Sequence, residues 1–282
     1  MTSTGAFVRK TSRFREAPQG PPERHHLYVA LACPWSQRTV IVRSVLGLED
    51  RLGMSYLDPF RDERGWAFSG GRFSDDVNGF EFLAEAYEAT LPDYDGRVSV
   101  PVLWDKEEGR IVNNESADVV RILNDWAGGD LYPEDKRAEI DELNGWIYDE
   151  LQNGVYRAGF ARSQEAYDEA YRGVFAAFPR LEALLADRRY LTGDDITEAD
   201  WRLLPTLLRF DAVYYSHFRC NGARLIDHPN LLRYTKDLFE QPGVAQTFSL
   251  DEIKRHYYTT HDSLNPKRII PLGPANLGFT TA

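Results

Sequence analysis

The sequence predicts an α/β half followed by an all-helical half, and three observations carry that expectation. Residues 26–45, HLYVALACPWSQRTVIVRSV, read as a short apolar strand that passes through a cysteine into a helix. From residue 134 onward apolar residues recur at helical spacing, in segments near 134–151, 165–188, 198–214, 230–240 and 250–258. Between the halves lies AGGDLYP, residues 127–133, whose glycines and proline mark a linker. A chain of 282 residues also fits two domains better than one.

The first half is justified element by element. Residues 1–25 are polar and rich in Arg, Pro and Gly, as an irregular arm would be. The apolar run 26–31 closes on small Ala32, which suits a buried strand. Pro34 stands where a helix accepts proline, because its first residue needs no backbone donor, and Val40, Ile41 and Val45 then fall on one face. Residues 51–57 supply a second strand. Residues 58–96 are too many for a plain loop, and GFEFLAEAYEAT at 79–90 suits one helix within them. Residues 98–104 form a strand interrupted by Pro101, and 105–109 turn it into 110–112, a hairpin. Residues 115–126 follow as a helix with Val119, Val120, Leu123 and Trp126 facing inward. Strand, helix, strand, hairpin, helix is a thioredoxin-like order. The expected organisation is therefore an arm at 1–25, a thioredoxin-like domain at 26–126 and an all-helical domain at 134–260. A tail at 261–282 would be extended, since it holds Pro266, Pro271 and Pro274. Thr197 and Asp200 before apolar Trp201, Leu203 and Leu204 resemble a capping box with Asp in place of Glu.

Composition removes several function classes. A net charge of −11 argues against nucleic acid and against anionic membrane surfaces, both of which call for basic patches. Cys33 and Cys220 are the only cysteines, too few for a secreted disulfide scaffold, so a reducing cytoplasm is expected. No apolar run reaches the length of a membrane span. His25, His26, His217, His228, His256 and His261 lack metal-ligand spacing with other donors, so no metal is expected.

Cys33 is the expected chemical centre. A lone cysteine after an apolar strand can be a small core residue, but at a helix start its sulfur meets unpaired N–H groups and the positive end of the helix dipole, which favour a thiolate. The motif is Cys-Pro-Trp-Ser, and Ser36 cannot close a disulfide. A mixed disulfide on Cys33 must therefore wait for an external thiol, which points to one-cysteine exchange. Ionisation alone is a limited gain, since a free thiol is already about 3% thiolate at pH 7 and complete ionisation adds at most roughly 30-fold. Positioning and proton delivery have to supply the rest. Val100 before Pro101 is held extended, and a cis bond there would leave the Val100 main chain able to pair with a peptide-like ligand. Glu115 and Ser116 open a helix, Ser116 as its cap and Glu115 beside the dipole, and capping alone accounts for both. Cys220 reads as a buried structural thiol.

An α/β half followed by a helical half resembles the glutathione transferases. The segments CPW after LYVALA, RVSVPVLWD at 97–105, NNES at 113–116 and NGVYRAGFA at 153–161 resemble their Xi class, the glutathionyl-hydroquinone reductases. So do EADWRLLPTLLRFDAVYYSHFRCN at 198–221 and IKRHYYTTHDSLNP at 253–266, and together the segments span most of both halves. The resemblance implies a glutathione transferase fold, glutathione as co-substrate, glutathionyl-hydroquinones as substrates and a homodimer. It assigns glutathione binding to Trp66, Arg97, Val100, Glu115 and Ser116; on the residues alone Trp66 is a loop anchor and Arg97 a solvated charge. It assigns proton transfer to Tyr156, and substrate bonds with support of the Cys33 thiolate to Tyr214 and Tyr257, with Tyr215 and Tyr258 as the adjacent alternatives. Two rival readings remain: conjugation or thiol transfer on other electrophiles, and a non-catalytic assembly module of the same fold.

Overall fold

A computed structural model describes residues 5–280, which gather into two compact units. One holds residues 10–129 together with 242–270; the other holds residues 5–9, 130–241 and 271–280. Residues 242–260, grouped above with the helices, and 261–270 of the expected tail thus cluster with the sheet. Residues 1–4 of the expected arm and 281–282 of the expected tail lie outside the described residues.

The sheet of the first unit has four strands, β1 (His25–Val29), β2 (Gly53–Tyr56), β5 (Val102–Asp105) and β6 (Arg110–Asn113), in the order β2-β1-β5-β6. β1 and β2 are parallel and are joined by α1 (Pro34–Val45), while β5 runs antiparallel to both neighbours. β1 is buried along its whole length, its two histidines included. Its register sets His26 opposite Gly53, where a Cβ would come within 2.7 Å of the His26 ring, so the position needs glycine. The long insertion builds a small hairpin, β3 (Arg61–Asp62) with β4 (Gly65–Trp66), and the helix α2 (Leu83–Thr90), four residues shorter at its start than the 79–90 expected. α3 (Ser116–Ala127) packs against α1 and ends on Gly128 in the left-handed conformation, with φ 63°. Val119, Val120 and Leu123 face inward, whereas Trp126 is half-buried against the His25 ring, 4.9 Å away. The irregular arm is tied to the sheet: Glu16 N–H donates to the Val112 carbonyl at 3.1 Å, and Arg15 bridges to Asn113 at the edge strand β6.

The second unit contains α4 (Arg137–Ile147), α5 (Gly154–Gly159), α6 (Gln164–Leu184), α7 (Glu198–Arg209) and α8 (Pro229–Phe239). The single helices expected over 134–151 and 198–214 are each broken into unlike turns. A 3₁₀ turn (Glu134–Lys136) precedes α4, and π turns (Tyr148–Gln152 and Phe210–Tyr214) follow α4 and α7. Wider turns of this kind rotate the side chains that follow and are frequent at functional sites. The capping box is present at Thr197 and Asp200. Asp200 is fully buried and accepts from Thr197 N–H, Thr197 Oγ1, Leu191 N–H and the Tyr234 hydroxyl. The last helix, α9 (Leu250–Thr260), belongs to the first unit, packed on β3.

Candidate active site

Cys33 is the residue immediately before α1, with φ −87° and ψ 123°, and Pro34 is the first residue of the helix. Its N–H donates to the Ala30 carbonyl at 3.0 Å and its carbonyl accepts from Gln37 N–H at 2.9 Å, so the main chain on both sides of the sulfur is fixed. Ser36 does not face the sulfur's chemistry; its hydroxyl accepts from Ala30 N–H at 2.9 Å and braces the end of the strand. Cys33 is half-buried, and Sγ lies 3.9 Å from the Val100 carbonyl oxygen. The Val100–Pro101 bond is cis. Cys33, Val100 and Trp66 belong to one apolar cluster, which brings three of the expected residues together.

The second pair expected to bind the tripeptide, Glu115 and Ser116, stands at the start of α3. The capping roles are exchanged relative to expectation: Glu115 is the cap, its carboxylate accepting from Ala117 N–H at 3.3 Å, and Ser116 is the first helical residue. The reason is the turn before it, where the Asn113 side chain accepts from Glu115 N–H at 2.8 Å and sets the helix to start at Ser116. Ser12 of the arm also donates to the Glu115 carboxylate at 2.9 Å. Arg38, 2% exposed, reaches from α1 to donate to Ser116 Oγ at 3.3 Å and lies 4.5 Å over the Trp35 ring. A buried guanidinium beside a helix start adds to the dipole there, an arrangement that suits a ligand carboxylate. No motif singled out Arg38; its spacing from Cys33 places it on the buried face of α1, which was the available signal. Arg97 is exposed, and its carbonyl accepts from the Tyr94 hydroxyl at 3.2 Å.

Trp66 is 3% exposed and its indole lies parallel to the His256 ring of α9, 4.8 Å between centroids and 14° between planes. His256 Nδ1 is 2.8 Å from the Pro59 carbonyl. Tyr257 follows on the same helix, buried, with its ring 5.4 Å from His261. Tyr258 is buried as well, its carbonyl accepting from Asn265 Nδ2 at 2.7 Å, so burial does not separate the two adjacent tyrosines.

Tyr156 on α5 and Tyr214 at the end of the second π turn lie together in the other unit, 6.0 Å apart and edge to face. Phe218 completes this aromatic group, 5.2 Å from Tyr156 and stacked on Tyr214 at 5.5 Å. Gly159 makes room for the Phe218 ring, since a Cβ there would fall 2.3 Å from it. Tyr214 is fully buried, whereas Tyr215 is only half-buried. Cys220 is fully buried, and burial pushes its thiol up to about 12. Among the described residues no group of three or more His, Cys, Asp or Glu could hold a metal ion, and no helix is long and apolar enough to cross a membrane.

Comparison with known proteins agrees with this geometry. The model of the glutathione S-transferase N-terminal domain matches residues 32–126, and that of the C-terminal domain matches residues 164–237. PcpF of Sphingobium chlorophenolicum, a glutathionyl-hydroquinone reductase, is 47% identical over 286 residues, covering 97% of this chain and 91% of its own. YqjG of Escherichia coli K12, also a glutathionyl-hydroquinone reductase, is 46% identical over 293 residues, covering 96% and 89%. Its glutathione-bound structure has a TM-score of 0.88 at 48% identity, over 90% of this chain and 86% of that one. The Xi glutathione S-transferase of Phanerochaete chrysosporium has a TM-score of 0.92 at 43% identity, over 97% and 94%. The two domain matches and these near-full-length relatives make the chain a glutathione transferase. Within that family the chain belongs to the Xi class, the glutathionyl-hydroquinone reductases.

Proposed function

We propose that the protein reduces glutathionyl-hydroquinones to hydroquinones with release of oxidised glutathione, and that Cys33 carries the reaction as a mixed disulfide. The observation that supports this most is the placement of Cys33 at the start of α1, with Sγ 3.9 Å from the Val100 carbonyl. Val100 pairs with the cysteinyl part of glutathione. Glu115 and Ser116 receive its γ-glutamyl end, and Trp66 and Arg97 border the tripeptide. The Cys33 thiolate attacks the sulfur of the thioether; a sulfur–sulfur bond forms and the sulfur–carbon bond breaks. The electron pair released onto the ring carbon takes a proton, delivered by Tyr156, and the hydroquinone leaves. Tyr214 and Tyr257 bond to the substrate and support the Cys33 thiolate. A second glutathione, as thiolate, then attacks the disulfide, giving oxidised glutathione and free Cys33. One glutathionyl-hydroquinone and one glutathione thus become one hydroquinone and one glutathione disulfide, and no further redox partner is needed.

Mass spectrometry of the enzyme mixed with glutathionyl-menadiol, without reducing thiol, tests the step directly. The expected result is one glutathione adduct, on Cys33. Wild-type turnover by Cys33→Ala, or absence of the adduct, overturns it. The enzyme works in the cytoplasm as a homodimer, for which sedimentation equilibrium should return twice the chain mass; a monomer at assay concentration removes that part of the reading.

A further inference from the structure

We propose that Tyr87 is a positioning residue that holds the two glutathione-binding segments at their working separation. This rests on the roles of Val100, Glu115 and Ser116 just given. Tyr87 is on α2, in the insertion between β4 and β5, and its ring is 1% exposed between Tyr94 and Phe14, at 4.9 and 5.8 Å. Its hydroxyl donates to the Ser99 carbonyl at 2.7 Å and accepts from Ser99 N–H at 3.1 Å. It also accepts from Asn114 Nδ2 at 3.0 Å. One donor and two acceptor sites exhaust the capacity of a phenol. Ser99 immediately precedes Val100, and Asn114 immediately precedes Glu115. A single oxygen therefore brackets the main chain that pairs with the cysteinyl unit and the helix start that receives the γ-glutamyl end.

The surroundings make that bracket stiff. Asn114 is held from its far side by the arm, through Asn114 N–H to the Phe14 carbonyl at 2.9 Å and Phe14 N–H to Asn114 Oδ1 at 3.2 Å. One turn further along α2, Thr90 Oγ1 accepts from Ile111 N–H at 2.8 Å and ties the helix to β6. A tripeptide held at both ends requires a fixed span, and rigid placement of its anchors is what turns binding into orientation. Removing the hydroxyl leaves the half-buried Ser99 N–H, the buried Asn114 amide and a carbonyl without it, and frees Ser99 and Asn114 to move independently.

Tyr87→Phe tests this beside Tyr28→Phe. The second variant deletes an equally buried hydroxyl in the same unit, one that donates to Asp75 Oδ1 at 3.0 Å and accepts from Asn78 Nδ2 at 2.7 Å. Tyr87→Phe should raise the KM for glutathione about five- to twentyfold, with kcat at saturating glutathione within about twofold. Tyr28→Phe should lower Tm comparably and leave that KM alone. If Tyr87→Phe does not fold, Asn114→Ala removes one arm of the bracket and should raise the KM about threefold. An unchanged KM in the variant that folds, or an equal rise in Tyr28→Phe, overturns the proposal. Calorimetric titration of wild type with glutathione separates the two levels: no binding removes the parent reading, whereas equal binding by wild type and Tyr87→Phe removes the positioning role alone.

Discussion

The imidazole of His256 lies flat against the indole of Trp66, 4.8 Å away, although the two residues stand in different elements far apart in the sequence. With Nδ1 at 2.8 Å from the Pro59 carbonyl, the ring fastens α9 to the insertion that carries Trp66. His256→Ala should lose about 2 kcal/mol of stability, roughly one for the stack and one for the hydrogen bond. Urea unfolding measures this, and a loss below about 0.5 kcal/mol would show that the stack is incidental.

The two thiols should react very differently. Cys33 is half-buried at a helix start, whereas Cys220 is enclosed and its thiol is pushed up to about 12 by burial. Iodoacetamide at neutral pH should label Cys33 alone, with Cys220 labelled only after denaturation. Peptide mapping reads the outcome, and native labelling at Cys220 would contradict the enclosed site.

Tyr156 has the Arg9 guanidinium 4.8 Å from its ring centroid, and Arg9 is itself held by a bond from Nε to Asn153 Oδ1 at 3.1 Å. If this phenol delivers the proton to the departing ring carbon, Tyr156→Phe should lower kcat on glutathionyl-hydroquinone about 10²- to 10⁴-fold. Exchange with a small disulfide expels a thiolate, which needs no proton, and should stay within about threefold of wild type. Equal loss on both substrates would assign Tyr156 to binding.

Acid should weaken the sheet through His26. Its ring is buried against Ser55, with Nε2 2.8 Å from Oγ, and burial lowers its pKa to about 4 from an ordinary 6.5. The unfolded chain therefore binds a proton between these values that the folded one refuses. This contribution is whole above pH 6.5 and is lost as pH falls toward 4, on the order of 3 kcal/mol in all. His26→Gln should flatten the fall of Tm across that window; an unchanged slope would place the acid sensitivity elsewhere.

Asp200 should be the most costly carboxylate to remove from the helical unit. Its four donors lie at 2.8–3.2 Å, and burial raises its pKa. Asp200→Ala leaves them without their acceptor and should cost about 3 kcal/mol or more in urea unfolding. A loss under about 1 kcal/mol would mean that water replaces the carboxylate.

What the sequence determined by itself was local: an apolar run closing on Cys33, proline at the first turn of α1, an extended valine before Pro101, and a capping box at Thr197 and Asp200. Each follows from the conformational limits of a few neighbouring residues, so each is legible without a partner. Motif likeness extended this to Trp66, Arg97 and the tyrosines. The tertiary structure decided the associations. Helical spacing at 250–258 specified an apolar face, and the fold set that face on β3, so that His256 reached Trp66 and α9 joined the unit of the sheet. The same spacing marked α2 as a helix while leaving its inward tyrosine unremarkable. Only packing brought the Tyr87 hydroxyl to Ser99 and Asn114 at once. Periodicity records which side of an element avoids water, but the choice of what covers that side rests on contacts between residues far apart in the chain.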